Sequence, residues 1–134
     1  MTDNRLLFTV KREVIKLKDI SAYKIASELS NIVWSLVIKW PFLPQKTIGS
    51  QWVRSVDSIA ANIAEGEGRY FKKDKIKFFY QARGSVYESF HWTDKARERD
   101  LINNKNYEHI ISRLKRLPKE INSLISGASK NLKR

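Results

Sequence analysis

The densest chemistry in the chain lies between Arg69 and Lys77, where the sequence reads RYFKKDKIK. Arg69, Lys72, Lys73, Lys75 and Lys77 stand against one carboxylate, Asp74. Cations at this density release counterions when they meet phosphates. Tyr70 and Phe71 sit among them, and aromatic rings offer faces on which unpaired bases stack. A helix opening here adds the partial positive charge of its N-terminus. The segment reads as a nucleic-acid contact, or else as a solvated loop whose aromatics cap the fold. A second basic group comprises Arg113, Lys115, Arg116 and Lys119, then Lys130, Lys133 and Arg134, against Glu120. An N-terminal segment adds Arg5, Lys11, Arg12, Lys16 and Lys18.

Arg54, Ser58 and Asn62 recur every four residues, and Glu65 follows three later. They form a polar row beside an apolar one. Further along, Arg83, Ser85 and Glu88 stand among large apolar residues. The expected role of Arg54, Ser58, Asn62, Glu65 and Glu88 is a hydrogen-bonded network that fixes helix register, because buried polar groups have to be paired. Arg83 fits that role and a phosphate contact equally well.

Catalytic patterns are missing. Glu88-Ser89-Phe90-His91 is a Glu-x-x-His, half of a di-iron bundle signature. The other histidine, His109, has Asn rather than Glu three residues before it. With no cysteine and two histidines, thiolate zinc, a Cys nucleophile and a three-imidazole site are excluded. There is no Gly-rich phosphate loop ending in Lys and Ser or Thr, and no strained nucleophile turn. The expectation is a protein that is not an enzyme and takes no metal or cofactor.

The charge balance names a partner class instead. The chain of 134 residues has 26 Lys and Arg against 14 Asp and Glu, a net charge of +12. Such an excess points to a polyanion, RNA or DNA, over a merely solvated surface. The apolar fraction is 42%, enough for a packed core rather than a disordered tail. No secretory leader is visible at the N-terminus. The most apolar run, Ile32 to Pro44, is interrupted by Lys39, Pro41 and Pro44 and is too short to span a bilayer. A cytoplasmic protein with no membrane partner is expected.

These side chains need helices to position them. Ile20, Tyr23, Ala26, Leu29, Val33, Leu36 and Val37 recur at three and four, predicting a helix from about 19 to 39. The Trp40-Pro41-Phe42-Leu43-Pro44 segment ends it. Ile48, Trp52, Val56, Ile59 and Ile63 predict a second helix over 44–65, stopped by Gly66 and Gly68. Ile76, Phe79, Tyr80, Ala82, Val86, Tyr87 and Phe90 predict a third over 73–99. Gly84 inside it is expected to admit a neighbouring helix closely. Asn103 and Asn104 cap a fourth that runs to about 126, with Pro118 expected to kink or split it and Gly127 to end it. Four such helices with short loops imply an all-α, antiparallel up-down four-helix bundle over 19–126. Residues 1–18 form a basic arm or short helix, and 127–134 a basic tail. Of the four tryptophans, Trp40, with Phe42, falls in the first loop and is the candidate exposed anchor for a subunit interface.

One resemblance rests on specific residues. Ser50-Gln51, Arg54, Ser58, Asn62-Ile63-Ala64-Glu65-Gly66, Gly68-Arg69, Lys72-Lys73-Asp74, Phe78, Tyr80, Ala82-Arg83-Gly84-Ser85 and Glu88 are similar to the bacterial four helix bundle protein family. That family includes proteins encoded by intervening sequences in large-subunit ribosomal RNA genes. It is related in structure to the accessory variability determinant of diversity-generating retroelements. The chain departs at Ala60, where the family commonly has Pro, and at Phe90, where it commonly has an acidic residue. The resemblance implies a small basic bundle assembled as a homo-oligomer, typically a pentameric ring. It implies an accessory role in a ribosomal RNA intervening sequence or beside a reverse transcriptase, and it brings no catalytic residues. The competing expectation is an interaction module that docks an acidic protein without nucleic acid.

Overall fold

The structure, a computed structural model, describes residues 16–131. Four long helices dominate it: α1 (Ser21–Val37), α2 (Ser50–Gly68), α3 (Lys72–Glu98) and α4 (Asn104–Asn131). A helical turn over Phe42–Pro44 and a π-helical stretch over Gln45–Gly49 join α1 to α2. There is no strand among the described residues. Each of α1 and α3 packs on both α2 and α4, so α1 and α3 stand at opposite corners of the bundle.

The apolar stripes meet in one core. Leu29, Val33, Trp52, Val56, Ile59, Ile63, Phe79, Val86, Ile110, Leu114, Leu117 and Ile121 are all fully buried. Removing each such side chain from water contributes about 1.5–3 kcal/mol, which explains why the 3.6-residue period survives along every helix. Gly66 belongs to this packing, because the Phe79 ring lies where a side chain would be. A Cβ on Gly66 would stand 2.6 Å from Phe79 Cε1.

Three helix ends are closed by nearby hydrogen bonds. Asn103 caps α4, its Oδ1 accepting the Asn106 N–H at 2.7 Å. At the end of α3 the Leu101 N–H bonds the Ala96 carbonyl and the Asp100 N–H bonds the Arg97 carbonyl. This is a Schellman closure, with Asp100 at φ 57 in the place usually held by glycine. The Gln45 amide donates to the carbonyls of Val37 and Ile38, closing the C-terminus of α1.

Several expectations change. The second helix proper begins at Ser50 rather than Pro44, because the π-helical stretch takes the preceding turn. Pro118 does not split α4, although it withholds an N–H from the Leu114 carbonyl. The helix also runs through Gly127 to Asn131, since Ala128 is buried against the core and holds the last turns down. The tail therefore does not start at 127. Gly84 has open space where its Cβ would be, so among the described residues no helix packs closely against it. The arm over 1–15 and Lys133 and Arg134 of the tail lie outside the described residues.

Candidate nucleic-acid interface

The basic loop divides into engaged and unengaged cations. Arg69 forms an ion pair with Glu65 one turn back on α2, and its guanidinium lies 4.8 Å from the Phe78 ring centre. Lys75 Nζ donates to the Glu67 carbonyl at 2.9 Å and the Gly66 carbonyl at 3.3 Å. It thus neutralises the negative end of α2. Lys72, Lys73 and Lys77 take no part in ion pairs among the described residues. Lys77 Nζ stands 5.7 Å from the Phe78 ring centre. Tyr70 and Phe71 meet edge to face at 5.1 Å, and Tyr70 is 81% exposed. They do not cap the core.

The cations of α4 divide in the same way. Arg113 reaches Glu28 on α1 at 3.7 Å and contacts the His109 ring. Lys115, Arg116 and Lys119 are exposed and make no ion pair among the described residues. Arg83, on α3, is half-buried. It donates to Asn122 Oδ1 on α4 at 2.9 Å, and its guanidinium lies 4.7 Å from the Tyr80 ring centre. Asp94, also on α3, accepts the Tyr107 hydroxyl at 2.8 Å. These two bonds tie α3 to α4 near both ends of their contact. The Asp94 bond also raises the Tyr107 pKa above its usual value, with burial adding to the effect.

The polar row of α2 is not a buried network. Arg54 and Glu65 are exposed, and Ser58 and Asn62 bond carbonyls of their own helix, Arg54 O and Ser58 O. Glu88 is exposed and accepts the Trp92 indole N–H at 2.9 Å. Four-residue spacing puts a row on one face, and here the face is outward. The polar thread that does cross the core uses other residues. Trp52 Nε1 donates to Thr93 Oγ1 at 3.0 Å, and Thr93 donates to the Ser89 carbonyl at 2.6 Å. The Ser89 and Ser55 hydroxyls lie 3.1 Å apart. The signal was present in the sequence: Ser55 is three residues after Trp52, and Ser89 and Thr93 continue the stripe of Val86.

No group of three side chains able to hold a metal ion occurs among the described residues. None of their helices is long and apolar enough to cross a membrane.

The anchors in the first loop are corrected in part. Trp40 is half-buried and stacks on Trp52 with centroids 5.7 Å apart, so it belongs to the packed interior. Phe42 is 74% exposed, as an anchor would be. Trp34, Ile38 and Leu43 are exposed beside it, and Trp34 and Ile38 line a groove with Val53 and Arg54 of α2. These four exposed apolar side chains lie within ten residues of sequence at the end of α1 and in the loop that follows.

The family model for the 23S rRNA-intervening sequence protein matches residues 18–123. The chain belongs to that family. A crystal structure of a protein with unknown function from the S23 ribosomal protein family of Bacteroides thetaiotaomicron superposes with a TM-score of 0.72 at 26% identity. The match covers 81% of this chain and 98% of that one. No curated protein matches the chain. The family match spans α1, α2, α3 and most of α4, and so includes the α3–α4 cations up to Lys119 and the apolar corner of α1.

Proposed function

We propose that this family member is a non-enzymatic nucleic-acid-binding accessory protein, an antiparallel up-down bundle that self-associates and presents Lys and Arg to RNA or DNA. One observation carries the reading: charge is segregated across the bundle. α3 and α4 together hold thirteen cations against six carboxylates, whereas α1 and α2 hold two against four. A face so unbalanced raises the local concentration of a polyanion and steers it in. Phosphate contacts come from Lys72, Lys73 and Lys77, with Lys115, Arg116 and Lys119 from α4. Binding is largely electrostatic and weakly selective for sequence.

The family match favours a setting tied to ribosomal RNA over service beside a reverse transcriptase. Self-association uses the corner of Trp34, Ile38, Phe42 and Leu43; a closed ring such as a pentamer needs that corner to meet a different surface of the next copy. The protein acts in the cytoplasm.

The test is titration with RNA at rising salt. A steep loss of affinity with little dependence on sequence supports the proposal. No RNA binding at low salt, together with a stable complex with an acidic protein, replaces it with an interaction module. A solution mass of one chain discards self-association. If the mass is larger, Trp34→Glu with Phe42→Glu should reduce it.

A further inference from the structure

On α3 the residues Lys73, Lys77, Tyr80, Gly84 and Tyr87 recur at alternating spacings of four and three. They fall on one stripe, and all five are exposed. At 1.5 Å per residue the stripe is roughly 20 Å long. Tyr80 is 48% exposed and Tyr87 61%, so neither ring is spent on the core. Arg83 lies between them. Its guanidinium stacks on Tyr80 and is held there by Asn122 of α4. Lys115 and Lys119 are exposed on α4, the helix to which Arg83 is bonded.

Gly84 sits between the two rings with nothing within 4 Å of where its Cβ would be. Glycine in a helix interior destabilises it relative to alanine, and no close contact among the described residues offsets that. What the residue provides is a bare strip of backbone, open to close approach from outside.

We propose that this stripe is a stacking platform for unpaired bases of a single-stranded nucleic acid, with Tyr80 and Tyr87 taking two bases and the bared backbone at Gly84 admitting the strand between them. The inference rests on the nucleic-acid reading above and deepens it. Lys73, Lys77, Arg83, Lys115 and Lys119 line the path for phosphates. A duplex satisfies only those cations, because its bases are already stacked and cannot lie on the rings. A second copy of the chain is the other candidate occupant. The corner at Trp34, although Lys46 and Arg54 lie beside it, offers a copy more exposed apolar surface than this face, where Lys73, Lys77 and Arg83 would repel a like-charged chain.

The experiment compares a fluorescent oligoadenylate of about 20 nucleotides with an RNA duplex of equal length, on the full chain and on Tyr80→Ser/Tyr87→Ser. Stacking on one aromatic ring is worth about tenfold in affinity, so the double variant should bind the single strand about a hundredfold more weakly. Its duplex affinity and its salt slope should not change, because no charge is removed. Tyr80→Phe/Tyr87→Phe should restore single-strand binding, and Gly84→Leu should weaken it while leaving the fold intact by thermal melting. Unchanged single-strand affinity in the serine variant, with the salt slope intact, overturns the platform and leaves the electrostatic reading standing. A fall in solution mass in that variant also overturns it and assigns the stripe to a contact between copies. Failure of the wild-type protein to bind either RNA at low salt removes the underlying reading as well.

Discussion

Gly66 on α2 and Phe79 on α3 occupy what would otherwise be the same space: an added Cβ would stand 2.6 Å from one ring carbon and 3.2 Å from the Lys75 carbonyl oxygen. The ring is fully buried and cannot swing away. Gly66→Ala should therefore destabilise the bundle by about 1–3 kcal/mol through overpacking, more than the helix propensity it gains. Gly68→Ala, two residues on with nothing within 4 Å, should instead stabilise by about 0.5 kcal/mol. Chemical denaturation of the two variants gives the comparison. Repeating Gly66→Ala in a Phe79→Leu background should shrink its penalty, and an equal penalty in both backgrounds would show that the ring is not the obstacle.

The Trp52–Thr93 bond yields a second prediction. Thr93 is fully buried and its hydroxyl is the acceptor for the indole N–H. Thr93→Val keeps the shape but strands that N–H away from water, a loss of about 1–3 kcal/mol. Thr93→Ser keeps the hydroxyl and gives up one methyl, about 1 kcal/mol. Urea unfolding should rank valine below serine. The reverse order would mean that packing, not the bond, is what this position supplies.

The contrast between these core hydroxyls and the Arg54 row explains what the sequence could and could not reveal. Apolar period located the helices and most of the core, because burial and spacing are tied by helix geometry, but it missed Ala22, Ile25, Ala96, Ile102 and Ala128. The pairing of side chains across helices is not periodic. Ser55, Ser89 and Thr93 sit on apolar stripes and are buried, while Arg54 and Glu65 share a four-residue row and are exposed. Only the rotation of each helix about its axis separates the two cases. The candidate site was legible as a charge run, but not its division into engaged and unengaged groups. That division depends on where the carbonyls of α2 end, as at Lys75, and on where Glu28 of α1 reaches Arg113. Their spacing puts Tyr80 and Tyr87 with the apolar residues of α3. They lie at its outer edge, one residue past the buried Phe79 and Val86.

Tyr107 ties a small part of the stability to alkaline pH. Its hydroxyl donates to Asp94, and that bond raises its pKa, with burial acting in the same direction. A group whose pKa is higher folded than unfolded contributes its full stability below the unfolded value and loses it as pH climbs through the folded one. The contribution is thus intact at neutral pH and falls away above about pH 10, the ordinary tyrosine range. Tyr107→Phe should lower stability at pH 7 by about 1 kcal/mol. It should also flatten the decline of melting temperature at alkaline pH. A Phe variant with the same alkaline slope as the wild type would remove Tyr107 as its source.

Lys75 and its neighbours Lys73 and Lys77 make the sharpest division within the basic segment. Lys75 is half-buried with its ammonium on the last carbonyls of α2, so it is already engaged. Lys73 and Lys77 are exposed on the outer stripe of α3. Lys75→Gln should cost about 1 kcal/mol of stability and leave the salt dependence of RNA binding unchanged. Lys73→Gln and Lys77→Gln should each leave stability within about 0.5 kcal/mol, since exposed positions without partners tolerate change. Each should lower the slope of log affinity against log salt by about 0.7, the value for one phosphate contact on a single strand. Melting curves and salt titrations on the three single variants separate the two roles. If Lys75→Gln lowers the slope as much as the others, the lysine leaves the α2 carbonyls for phosphate when RNA binds, and the end of α2 should then lose protection in hydrogen exchange.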